Sequence, residues 1–118
     1  MLISRIITEA NIMTTSSQRT RRPSSPGEIL AELYLAPHEI SIARLAEACG
    51  VTRKHMSGIV NGHVAITAEM AARMAAVLGT TAQYWLNLQN AVDLYDADER
   101  LTASDRRPQL MPAFKQAS

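Results

Sequence analysis

From Ser25 onwards, apolar residues recur at helical spacing and are punctuated by hydroxyl residues, which predicts a string of short amphipathic helices. Ser25-Pro26-Gly27-Glu28 has the form of a capping box: a hydroxyl that accepts a backbone N–H three residues on, and a glutamate that reaches back. Pro26 stands at the first helical position, where a missing N–H costs nothing. Ile29, Leu30 and Leu33 supply the apolar stripe of this first helix, and Pro37 predicts its end near Leu35. Three later starts share one device, a hydroxyl N-cap with an apolar residue before it and another four after it. They are Ile40-Ser41 with Leu45, Val51-Thr52 with Met56, and Ile66-Thr67 with Ala71. Each is a hydrophobic staple that sets the angle at which the chain enters a helix. Helices are expected over residues 42–49, 53–60 and 68–78, followed by a fifth from Thr81 as N-cap to about Asp96.

Outside this region the pattern lapses. Residues 13–24 are polar, basic and without periodicity, and the sequence turns polar again past Ala97. The expected organisation is a flexible basic extension over residues 1–24, one globular domain over 25–96 and a disordered tail over 97–118. Met13 opens the basic arm, so residues 1–12 read as an extension from an early start codon. Leu2, Ile3, Ile6 and Ile7 would equally suit a short amphipathic segment.

Composition narrows the class. Eighteen of the 118 residues are alanine, with five Gly, five Pro, one Phe and one Trp. Alanine favours helices and is depleted in strands, so an all-α domain with closely approaching helices is expected. The net charge of +1 hides a segregation. Arg19, Arg21 and Arg22 make the arm basic, whereas residues 26–96 carry four basic against seven acidic side chains, a net of −3. A core of that sign is no general polyanion binder, and its one adjacent basic pair is Arg53-Lys54.

Candidate chemistry is sparse. Cys49 is the single cysteine, which excludes an intrachain disulfide, fits a reducing cytoplasm and reads as a small buried hydrophobe. His38, His55 and His63 form no i, i+4 pair, and no matched acid and base suggests an enzyme. No catalytic residue, metal site or cofactor is expected, nor any membrane span. Tyr84-Trp85 sits at helical spacing and belongs to core and interface rather than to an RNA-stacking sheet.

The second and third helices are joined by Cys49-Gly50-Val51-Thr52, a tight link whose glycine suits the left-handed conformation ending a helix. Short helix, glycine turn, short helix is the helix-turn-helix motif, here at about residues 42–61. Leu45, Ala46, Gly50, Val51, Met56 and Ile59 are its expected core and turn, Ala46 lying where the two helices cross. The other face of the third helix carries Arg53, Lys54, Ser57, Gly58 and Asn61, with no large apolar residue. An α-helix fits the B-DNA major groove and its first turn reaches base edges, so Arg53, Lys54 and Ser57 are candidate base readers. Gly58 would let the backbone come close. Ser41, Thr52, His55, Asn61 and His63 are candidate phosphate contacts.

At this point a family resemblance emerges. Pro26-Gly27-Glu28-Ile29-Leu30, Leu45-Ala46 with Gly50-Val51, Ile59-Val60-Asn61-Gly62, Ile66-Thr67, Leu78-Gly79-Thr80 and Trp85-Leu86-Asn87-Leu88-Gln89 resemble the HigA-type antitoxins of the Xre/Cro-like helix-turn-helix group. The resemblance implies a five-helix, lambda-repressor-like fold and a dimeric repressor of its own operon that neutralises a HigB/RelE-like mRNA endonuclease toxin. Arg53-Lys54 stands where many members of the group have a glutamine, so the operator sequence is not carried over.

The fifth helix is apolar over two stripes. Trp85, Leu88 and Val92 suit the first and fourth helices, which leaves Tyr84, Ala91 and Tyr95 for a twin subunit in a homodimer. Such a dimer would bind double-stranded operator DNA as an inverted repeat. An RNA-cleaving toxin should be basic, which makes Glu28 and Glu32 on the first helix its candidate contacts. The competing readings are a stand-alone repressor of the same family and a protein-interaction module without DNA affinity, the latter suggested by the acidic core.

Overall fold

The computed structural model describes residues 21–115. The expectations for residues 1–12, and those for the arm before Arg21, lie outside the described residues. Helix α1 starts as its sequence dictates. The Ser25 Oγ accepts the Glu28 N–H at 3.1 Å, and Glu28 Oε1 accepts the Ser25 N–H at 2.8 Å, which completes the capping box. The helix opens with an α turn at Pro26–Ile29, widens into a π-helical stretch at Leu30–Leu35 and closes with Ala36–His38.

It therefore runs through Pro37 rather than stopping near Leu35. The reason is the π stretch: the Ala36 N–H already reaches five residues back, to the Ala31 carbonyl. Once the ladder has left α register, proline removes no α-type bond and its ring escapes the usual clash with the carbonyl four residues earlier. Glu39 then takes a left-handed conformation (φ 55°), and the Ile40 N–H returns to the Leu35 carbonyl at 2.9 Å.

Helices α2 (Ile42–Cys49), α3 (Arg53–Val60), α4 (Ala68–Leu78) and α5 (Ala82–Ala103) follow. Each begins with a hydroxyl N-cap: Ser41, Thr52, Thr67 and Thr81 accept the N–H three residues on at 3.0–3.2 Å. Helix α5 outruns its expected end at Asp96 by seven residues, so the first part of the expected tail is helical. Ala97, Glu99, Arg100 and Leu101 are good helix formers, and an established helix needs no new nucleus to continue through them. Beyond Ser104 the described chain has a single 3-10 turn, Pro112–Phe114. The described residues form no strand.

Trp85 lies fully buried at the centre, with Leu30, Leu45, Met56, Ile59, Ala71 and Met74 around it from the other four helices. Its indole Nε1 donates to Thr80 Oγ1 at 2.7 Å, which satisfies the one polar atom that burial would otherwise penalise. Val92 is buried and Leu88 half-buried on the same stripe of α5. Gln89 ties α5 to the segment before α4, its Oε1 accepting the Ile66 N–H at 2.9 Å. Gly27 marks the closest approach of α1 to α3, since a Cβ there would land on the carbonyl oxygens of Ile59 and Val60.

Candidate nucleic-acid interface

The turn between α2 and α3 is held from two sides. Gly50 is left-handed (φ 76°) and donates its N–H back into the last turn of α2, while the Val51 N–H bonds to the Ala46 carbonyl at 3.0 Å. From α4, Arg73 donates Nη1 to the Cys49 carbonyl at 2.9 Å and is itself steadied by Glu69, four residues earlier, at 3.1 Å. Sequence reasoning did not find Arg73, although the Glu69/Arg73 pair at helical spacing was visible. Leu45, Ala46, Met56 and Ile59 are buried, Val51 is half-buried, and Gly50 is exposed, serving the turn by conformation. Cys49 is buried, and that burial pushes its thiol pKa up, against the opposing charge of Arg73.

With Met56 and Ile59 facing inward, α3 turns its polar side to solvent. Arg53, Lys54 and His55 are exposed, and Ser57 and Gly58 half-buried. Asn61 orders this surface, its Nδ2 donating to the Ser57 carbonyl at 2.9 Å and to Ser57 Oγ at 3.2 Å. A hydroxyl that accepts one bond still has its own proton to give, so Ser57, Thr52 and Ser41 all remain donors. Thr52, Lys54, His55, Ser57, Asn61 and His63 line one shallow cleft of about 530 Å³ with Gly58 and Val64. Arg53 and Ser41 are exposed but do not line it.

Gly58 has an internal reason for being glycine. A Cβ there would stand 2.6 Å from Val64 Cγ2, and its carbonyl accepts the N–H groups of His63 and Val64 at 2.8 and 3.1 Å. It lets the loop after α3 fold back onto the helix, which sets where Asn61 and His63 stand.

The remaining candidates scatter. Tyr84 is half-buried, with its ring edge-on to Trp85 (centroids 5.0 Å apart), so part of its surface is used within its own chain. Burial, then Tyr34, push its hydroxyl pKa up. Ala91 and Tyr95 are half-buried further along α5, and the same helix exposes Leu94 and Leu101, seven residues apart, which the two-stripe reading passed over. Glu28 spends one carboxylate oxygen on the capping box, whereas Glu32 is exposed. His38 spends Nδ1 on the Tyr34 carbonyl at 3.0 Å. Among the described residues no cluster of His, Cys, Asp and Glu could hold a metal ion, and no helix is long and apolar enough to cross a membrane.

Comparison with known proteins fits this geometry. A helix-turn-helix family model matches residues 30–85. Antitoxin HigA-1 of Vibrio cholerae is 49% identical over 80 residues, covering 68% of this chain and 75% of that protein. The HTH-type regulator YbaQ of Escherichia coli is 42% identical over 88 residues, covering 75% of this chain and 78% of that protein. The Pseudomonas aeruginosa antitoxin HigA, solved with the higBA promoter, superposes with a TM-score of 0.65 at 37% identity, over 75% of this chain and all of that one. The chain belongs to the HigA-type antitoxins of the Xre-like helix-turn-helix family. This HigA-type family comprises DNA-binding antitoxins and regulators and is not a family of enzymes.

Proposed function

We propose that this HigA-type protein is a DNA-binding antitoxin that represses its own operon and neutralises a HigB/RelE-like mRNA endonuclease encoded beside it. The observation that carries the DNA-binding part is the division of α3: Met56 and Ile59 are consumed by the core, while Arg53 and Lys54 stand exposed in its first turn. That arrangement suits insertion into a major groove, with Arg53, Lys54 and Ser57 reading bases and Ser41, Thr52, His55, Asn61 and His63 on phosphates. The similarity to an antitoxin solved with its promoter supports it. In this reading α5 makes the homodimer through Ala91 and Tyr95, with Tyr84 at its edge, and the operator is an inverted repeat. The toxin surface includes Glu32, with Glu28 beside it on α1.

Co-expression with the neighbouring reading frame tests the toxin part. A small basic partner should co-purify and lose its toxicity. If it does neither, the second reading stands, that of a stand-alone repressor, which the relatives described only as HTH-type regulators favour.

A further inference from the structure

Over residues 105–115 every side chain is exposed, and the large apolar ones among them, Leu110, Met111 and Phe114, are 61–65% exposed. Near the opposite end of α5, where the short turn at residues 79–81 joins it to α4, an apolar cleft of about 410 Å³ stands open. Ile40, Leu45 and Ala48 form one wall, and Val77 and Leu78 the other, Val77 being itself 38% exposed. Leu110 cannot reach this cleft in its own chain. Helix α5 is 22 residues long, about 33 Å, whereas the stretch 104–110 spans at most roughly 22 Å when fully extended.

We propose that Leu110, Met111 and Phe114 of one copy seat in this cleft of a second copy, clasping a dimer whose α5 helices pair antiparallel about Ala91. This rests on the homodimer reading of α5. Ala91 stands 13 residues after Leu78 and 13 before Ser104, so a two-fold axis crossing α5 there sets the tail root of each copy beside the cleft of the other. Charge favours the antiparallel sense. Residues 82–92 of α5 carry no charged side chain, whereas its second half has Asp93, Asp96, Asp98 and Glu99 against Arg100. Arg22 answers one of these acids, pairing with Asp96 through two bonds of 2.9 Å. Parallel helices would face the other acids with their own copies, while antiparallel ones lay each acidic half on an uncharged one. The tail and its seat also differ in sign. Residues 104–115 carry Arg106, Arg107 and Lys115 against Asp105, a net of +2, and residues 30–49 carry Glu32, Glu39 and Glu47 against Arg44, a net of −2. Glu39 and Arg44 stand at the cleft itself. Area argues the same way: a specific interface takes about 800 Å² from each partner, more than Ala91 and two half-buried tyrosines can offer. Three docked apolar side chains supply part of the difference.

The test is sedimentation of the full chain over a concentration series, followed by disulfide trapping. Leu110→Ser and Phe114→Ser change exposed positions outside the core, so the domain stays folded, and each should raise the dimer Kd about tenfold. Val77→Asp, on the cleft wall, should weaken the dimer similarly. For the trapping, Leu110→Cys and Val77→Cys chains are mixed and oxidised, with the buried Cys49 kept out of reaction. The mixture should give a disulfide joining one chain of each kind, and neither variant should cross-link on its own. The inference is overturned if both serine variants dimerise like the parent, or if the mixed disulfide does not form. Ala91→Glu separates the clasp from the reading beneath it: if that variant is monomeric while the serine variants keep the parent Kd, the α5 dimer stands and the clasp falls. A parent chain that is monomeric throughout would sink the dimer reading, and this inference with it. Serine variants that keep the parent Kd but no longer capture the toxin would make the tail a toxin contact instead.

Discussion

Arg73 and Cys49, 24 residues apart, are joined by a 2.9 Å hydrogen bond from guanidinium to carbonyl, and through it α4 closes the turn that aims α3. The same guanidinium nitrogen stands 2.9 Å from where a Cβ on Gly50 would be. The turn glycine is therefore constrained twice, by its left-handed backbone and by its neighbour.

Replacing either residue should be measurable in urea unfolding. Arg73→Ala should cost about 1 kcal/mol, below the usual range for a charge-assisted bond because the side chain is part exposed. Gly50→Ala should cost about 1–2 kcal/mol from backbone strain plus crowding. The double variant should lose less than the sum, since the new methyl group then has nothing to meet. Strict additivity would show that Arg73 does not bear on the glycine.

Gly58 discriminates between two uses of a small residue. If its purpose is the Val64 contact, Gly58→Ala should lower stability by about 1 kcal/mol, overpacking outweighing the gain in helix propensity. Adding Val64→Ala should then restore much of the loss. A Gly58→Ala protein as stable as the parent but weaker on DNA would mean the glycine serves the ligand instead.

For base reading, Arg53→Ala and Lys54→Ala are compared on the operator and on operators altered one base pair at a time. A guanine contact should cost roughly 1–3 kcal/mol per half-site and relax preference at that position alone. The half-sites should lie about 10 bp apart centre to centre, or a multiple of this, if two copies of α3 enter successive grooves. Operator binding equal to the parent's in both variants would remove α3 from the role of recognition helix.

The proposed dimer is tested at Ala91, half-buried on α5 and small enough that its replacement spares the core. Burying two unpaired carboxylates across a two-fold axis should cost several kcal/mol, so Ala91→Glu should sediment as a folded monomer. An unchanged dimer mass would point to another surface, with Leu94 and Leu101 the first place to look.

The helix starts were legible because a cap is a three-residue affair: Ser41, Thr52, Thr67 and Thr81 each bond to an N–H three positions on, and side-chain chemistry alone predicts it. The division of α3 into a buried and a polar side followed from period and residue type in the same way. What escaped depended on contacts across the chain. Arg73 reaches Cys49 over 24 residues, Gly58 answers to a loop valine, and Arg22 finds Asp96 over 74 residues. Pro37 misled for a related reason, because a stop signal at the local level is absorbed when the turn before it is already wide.

That wide turn has a consequence for chain length. Leu30 and Leu35 are both buried, yet five residues at about 100° each would set them about 140° apart on a regular α-helix, on different sides. The π stretch brings them onto one side by holding one residue more than the α register needs. Helix α1 thus stores a surplus residue, and losing one position between the two leucines would place them four apart, at ordinary helical spacing. Within the described fold this is where a single-codon deletion would regularise the backbone instead of breaking it.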